Sequence, residues 1–260
     1  MSLTHQRQTP PGVFSKSVLA TRANQIQKIY QLHNASYPAL YRSLGVVSKK
    51  NITTQKRFTR PPRGTQMGNE QIKEILDVLP VDGNLLVWGL GNDSPFWHDS
   101  TLGRVVFIED DIPLPKSGTL WYDKIITAYN FLEAYKVHYS THTVKSFDRY
   151  MRNTEFWDSD LDIRKQLPSN VTLMDWDVIL VDAPLGCCGT SPGRYQSIYT
   201  SKLLSTNTTH IFVDDYERQV EKQFSLKVFG YEPQKVVVRE KGNSNANENA
   251  HFSIFLPSTK

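Results

Sequence analysis

Four consecutive apolar residues, Val178-Ile179-Leu180-Val181, lead directly into Asp182, and similar short apolar runs recur along the chain. A strand with one wet face alternates apolar and polar residues. A run that is apolar on both faces needs cover on both sides, as a strand inside a parallel sheet has. Such runs occupy residues 84–88, 104–109, 134–139, 176–182 and 210–214. Helical stretches fit between several of them, at 120–132, 144–153, 194–204 and 217–228, and Ile72, Ile75, Leu76 and Leu79 set a helical stripe before the first. Two further strand-like segments, 235–239 and 251–256, are separated by a polar stretch without a helical stripe, so antiparallel pairing is expected. The expected fold is α/β, a mostly parallel seven-stranded sheet ending in an antiparallel hairpin.

Charge divides the chain. Residues 1–69 hold no Asp or Glu and eleven Lys or Arg, whereas the rest carries 19 basic and 26 acidic residues, a net of −7. The Pro61-Pro62 pair cannot continue a helix, so residues 1–69 read as a basic arm, partly helical or disordered, attached to a body at 70–260. Such an arm suits a transit segment, a polyanion-binding tail or a solvated tail. The acidic body argues against a broad phosphate-binding face, and no nucleic-acid partner is expected. No run of about 18 apolar residues is present, so no integral membrane segment is expected. The two cysteines, Cys187 and Cys188, are adjacent and read as filling a turn; neither a disulfide framework nor a zinc site is expected.

Three turns carry the chemistry. Gly89 and Gly91, in Val87-Trp88-Gly89-Leu90-Gly91-Asn92-Asp93-Ser94, follow the first strand and allow a sharp bend close to a ligand. The second strand ends in Glu109-Asp110-Asp111, and Glu109 lies 20 residues after Gly89, the spacing at which a carboxylate accepts both hydroxyls of an adenosine ribose. The fourth strand ends in Asp182-Ala183-Pro184 and the fifth in Asp214-Asp215. Ligands in open α/β sheets bind at that carboxyl edge, so Asp182 and Asp215 are candidates to accept a proton from a reacting hydroxyl. Asp215 reads equally well as the N-cap of the helix that follows. His251 is either a core histidine or a substrate contact, and Arg194 and Arg218 are candidates to neutralise an acidic substrate.

Together these segments, with Leu132-Glu133-Ala134-Tyr135 and Gly193-Arg194 before Ile198-Tyr199, resemble the plant glucuronoxylan 4-O-methyltransferase and irregular xylem family over about residues 70–256. The resemblance implies a Rossmann-like methyltransferase fold, S-adenosylmethionine as methyl donor, and the 4-hydroxyl of glucuronic acid on xylan, an acidic polysaccharide, as acceptor. It also implies a Golgi lumen location. Carried onto this chain, Gly89 and Gly91 pass under the methionine part of the cofactor, Glu109 holds its ribose, Asp182 faces the reacting centre, and Asp215 and Arg218 match the acidic and basic positions after the fifth strand. Beside these, Asn92 and Asp110 are expected at the cofactor, Asp215 as a second catalytic acid, and Arg194, Arg218 and His251 at the substrate. Asn92, Leu185 and Asp214 stand where the family pattern has His, Thr and His. The rival readings are a non-catalytic component of polysaccharide assembly with the same fold, and a nucleic-acid methyltransferase clamping its substrate with the basic arm.

Overall fold

The computed structural model describes residues 65–113, 118–186, 191–239 and 247–253; the basic arm to residue 64 and Cys187-Cys188 lie outside the described residues. Seven strands form one sheet: β1 (Leu85–Trp88), β2 (Val105–Asp110), β3 (Ala134–Val137), β4 (Val178–Val181), β5 (His210–Asp214), β6 (Lys235–Val238) and β7 (Glu248–Ser253). Their order is β3-β2-β1-β4-β5-β7-β6. The first five are parallel, and β7 runs antiparallel between β5 and β6. The chain reverses direction across the sheet at β1, between β2 and β4, which opens a crevice at the carboxyl edge there.

Side chains in each strand alternate between two cores. Leu85, Val87, Val105, Phe107, Val178, Leu180 and Phe212 face one side, packed with Ile72, Ile75 and Leu76 of α1 (Asn69–Val78) and with Phe96 and Trp97 of α2 (Ser94–His98). Ile125 of α3 (Trp121–Ala128) joins the same core. Leu86, Trp88, Val106, Ile108, Ile179, Val181, Ile211 and Val213 face the other. That side is closed by α4 (Phe147–Arg152), α5 (Trp157–Asp160), α6 (Ser169–Thr172), α7 (Tyr195–Leu204) and α8 (Gln219–Phe229). The helix α7 is buried almost all round, including Ser197, Thr200 and Ser201. Its small hydroxyl residues let it approach the sheet closely, and each finds a partner: the Trp88 indole donates to Ser201 at 2.8 Å, and Thr200 donates to the Leu161 carbonyl at 3.0 Å.

Two expected boundaries move. The last strand begins at Glu248, three residues before the expected start, because Glu248 and Asn249 extend its ladder with Asp214 and Val238 despite their polarity. Met67 is buried in the core on the α1 side, so the folded body starts before residue 70. Among the described residues no helix is long and apolar enough to cross a membrane.

Candidate active site

The glycine turn is held by the chain's own hydrogen bonds. Gly89 has φ +127°, a conformation that side-chain-bearing residues rarely adopt, and its amide donates to the Ile108 carbonyl at 2.7 Å. Leu90 is held from both sides: its amide donates to Glu109 Oε2 at 2.7 Å, and its carbonyl accepts the Trp121 indole at 2.5 Å. The Gly91 amide donates to Ser94 Oγ at 2.9 Å, and a Cβ at Gly91 would meet Asp93 Oδ1 at 2.9 Å. Asn92, at the tip, is exposed.

Glu109 is buried at the end of β2 and accepts the Leu90 and Asp110 amides, one on each carboxylate oxygen. A carboxylate offers about four lone-pair sites, so among the described residues about two are left for further donors. Burial, reinforced by the neighbouring Asp110 carboxylate, pushes Glu109 up to about 7, against the pull of the two amides. Asp110 is also raised, chiefly by burial, and caps the next turn by accepting the Ile112 amide at 3.0 Å.

At the ends of β4 and β5, Asp182, Asp214 and Asp215 bring carboxylate oxygens within 4.8 Å of one another. Such a trio suits a cation, and Arg194 supplies one. Its guanidinium donates to the carbonyls of Pro184 (3.3 Å), Val181 (3.4 Å) and Asp214 (2.5 Å), and meets Asp182 at 3.5 Å, Asp215 at 2.7 Å and Glu221 at 3.9 Å. Burial works to lower the Arg194 pKa, and Asp182, Asp215, Glu221 and Asp214 together outweigh it. Arg194 is 3% exposed and fully engaged, so the expectation that it reaches a substrate is corrected: it is the internal counter-ion that holds two strand ends together.

The acids differ in what they can do. Asp215 has φ +56°, which Asp tolerates better than most residues, and its carboxylate takes Arg194 (2.7 Å), Arg218 (2.8 Å) and the Asn247 amide (2.8 Å). Its oxygens are thereby taken up by two guanidinium groups and an amide, which makes Asp215 a positioning group and corrects the expectation that it accepts the substrate's proton. It is not an N-cap either, because α8 starts at Gln219 with Arg218 in the cap position. Asp182 keeps 40% of its side-chain surface open to the crevice. Its pKa is raised well above the ordinary value by desolvation, then by the adjacent Asp214 carboxylate, with Arg194 opposing. Asp214 is raised in turn by burial and receives the Asn249 amide at 3.4 Å. Two close carboxyl groups that cannot both ionise easily hold a proton between them.

His251 does not join this group. It lies opposite Phe212 in the middle of the β5–β7 ladder, buried, stacked on Phe212 with ring centroids 4.4 Å apart. Its ring nitrogens meet His210 at 2.8 Å and Glu74 at 3.2 Å, and burial lowers its pKa. The substrate-contact alternative is thus replaced by the core-histidine one.

Several residues at the edge were not singled out from sequence. Asp93 is half-buried, is raised chiefly by desolvation, accepts the Trp97 indole at 3.3 Å and adds its charge to the field at Asp182. Asn247 links Asp215 to the buried Gln71 of α1. Tyr139, just past β3, is buried, and its hydroxyl has no hydrogen-bond partner among the described residues, in the electrostatic reach of Glu109, Asp110 and Arg194. Only Asp93 carried a sequence signal, an acid two positions after the second glycine.

A β3-β2-β1-β4-β5-β7-β6 sheet with a glycine turn after β1 and an acid closing β2 is the Rossmann-like methyltransferase fold. Within it, the IRX15/IRX15L/GXM family profile matches residues 70–242, and the chain belongs to that family. It is 36% identical over 159 residues to glucuronoxylan 4-O-methyltransferase 2 of Arabidopsis thaliana, which covers 55% of this chain and 52% of that protein. It is 33% identical over 179 residues to Protein IRX15-LIKE of the same plant, covering 60% and 54%, and 30% identical over 163 residues to arabinogalactan O-methyltransferase 1, covering 55% and 53%. The chain spans about half the length of these curated relatives.

Proposed function

We propose that the protein is an S-adenosylmethionine-dependent O-methyltransferase whose acceptor is a uronic acid on a cell-wall polysaccharide, with the 4-hydroxyl of glucuronic acid on xylan as the first choice. The observation that carries the reading is the meeting, at one sheet edge, of the Gly89 turn, the half-satisfied Glu109 carboxylate and the open Asp182 carboxylate. This edge fits the donor. The glycine turn leaves room for backbone approach, Glu109 retains lone pairs for a ribose diol, and Asp93, Asp182 and Asp214 complement a cation. S-adenosylmethionine supplies an electrophilic methyl group on its sulfonium when bound. The chain's own part is to align a sugar hydroxyl beside Asp182, which proximity alone accelerates strongly. Asp182, in its carboxylate form and with its open face on the crevice, then takes the hydroxyl proton as the oxygen forms its new bond. A Golgi lumen location accords with the relatives' part in xylan chemistry.

Glu109 gives the reading a pH signature. Ribose hydroxyls donate to the carboxylate form, so cofactor affinity is expected to hold above about pH 7 and to fall below it, by roughly tenfold per pH unit in the limit. The fold responds the other way. A folded pKa of about 7, above the ordinary 4.5, contributes stability that is full below pH 4.5 and is lost as pH rises through 7. Calorimetric titration between pH 5.5 and 8.5 measures the affinity trend, and Glu109→Gln is expected to flatten it.

The direct test is incubation with labelled S-adenosylmethionine and a panel of glucuronoxylan, arabinogalactan, small phenols and RNA. Label in glucuronoxylan, released as 4-O-methylglucuronate, is the expected result; label in arabinogalactan moves the acceptor; label in none, with no cofactor binding, favours a non-catalytic assembly component.

A further inference from the structure

Beside the reacting edge lies a second feature that the reading above leaves unused. A cleft of about 590 Å³ opens between the start of α4 and the first turn of α8, lined by Thr143, Val144, Phe147, Gly186, Arg218 and Glu221. That volume is in the range of small-ligand sites. Arg218 of its lining pairs with Asp215, whose carboxylate lies within 4.8 Å of that of Asp182, so the cleft adjoins the crevice floor.

Three observations give the cleft its chemistry. Arg218 Nη1 stands 2.8 Å from Asp215 as an ion pair without an aligned hydrogen bond, its side chain is 31% exposed, and no hydrogen bond is made by its guanidinium among the described residues. Glu221 is 0% exposed, and among the described residues neither of its carboxyl oxygens has a hydrogen-bond partner; the nearest cation, Arg194 Nε, stands at 3.9 Å. A buried acceptor left without a donor is costly, and native proteins keep few of them. A Cβ on Gly186 would come within 2.5 Å of Glu221 Oε1 and 3.4 Å of Arg218 Nη1, so only glycine lets the buried Glu221 carboxyl pack this closely beneath the cleft. The opposite wall is apolar: Val144 is 67% exposed and Phe147 is half-buried beside it. Asp148 stands at the rim, paired with Arg152 at 3.4 Å.

We propose that this cleft is the subsite that seats the uronic acid ring of the acceptor glycan. The Arg218 guanidinium pairs with the uronate carboxylate, and Val144 and Phe147 cover the C–H face of the ring. A planar guanidinium with free nitrogens matches a carboxylate in a way no other side chain here does. The subsite rests on the reading of the acceptor as an acidic glycan and adds where the acid is recognised.

The test is calorimetric binding of two xylo-oligosaccharides of equal length, one bearing glucuronic acid and one neutral, with cofactor binding measured in parallel. The wild type is expected to prefer the acidic one. Arg218→Gln is expected to weaken the acidic one by about ten- to a hundredfold and leave the neutral one unchanged, the loss of one charged hydrogen-bonding group. Because Arg218 also touches Asp215, a second variant on the open rim, Val144→Asp, guards against misfolding; it places a like charge in the cleft and is expected to weaken the acidic ligand selectively. Equal affinity of wild type for both sugars, or unchanged acidic binding in both variants, overturns the subsite even where methyl transfer is intact. Selective acidic binding lost in both variants, in a protein that binds no S-adenosylmethionine, upholds the subsite and removes the methyltransferase reading.

Discussion

Asp182→Asn is expected to lower the methyl-transfer rate by about 10²- to 10⁴-fold, the range typical for losing a positioned general base. The amide keeps the shape and the approach to Arg194 but cannot take a proton. Asp182 is the carboxylate that combines an open face with a raised pKa; Asp214 is buried and Asp215 is saturated by two guanidinium groups and an amide. Single-turnover kinetics with preloaded cofactor separate this effect from binding. A rate within a fewfold of wild type would remove Asp182 from the chemistry and return the proton to solvent.

The largest structural effect is expected at Arg194. Arg194→Met keeps the length of the side chain and removes the charge, leaving Asp182, Asp214, Asp215 and Glu221 facing one another without their shared cation. Breaking a buried ion pair by removing one partner costs about 3–5 kcal/mol. The carbonyls of Val181, Pro184 and Asp214 lose their donor as well. Urea denaturation at neutral pH measures the loss. It is expected to shrink as pH falls, because Asp182 and Asp214, already raised, protonate early and relieve the uncompensated charge. A variant as stable as wild type across that range would mean the acids are neutral in the native protein.

The parallel strands were legible because burial on both faces writes a continuous apolar run, and that signal needs no partner information. Val178–Val181 is the plainest case, with every residue buried. The start of β7 was not legible, since Glu248 and Asn249 look like loop residues; they belong to the strand because the crevice edge gives their polar groups partners in Glu217 and Asp214. The short helical turns between residues 154 and 172 carry no stripe long enough to read. The spacing of Gly89 and Glu109 survives in sequence, and the structure brings that turn and that acid together through the Leu90 amide. Arg194 was misplaced for the opposite reason: an arginine after a glycine turn reads as exposed, and only the convergence of β4, β5 and α8 shows that it is enclosed. Glu221 looks like an ordinary charged residue in the first turn of a helix until its burial is seen.

Everything turns on whether an adenosyl donor rests on the Gly89 turn with its ribose at Glu109. Calorimetric titration of the wild type and Glu109→Ala with S-adenosylmethionine at pH 8 tests this most directly. Binding by the wild type, weakened by about ten- to a hundredfold or more in the variant, is the expected result. Equal binding by both proteins, or none by either, would contradict it.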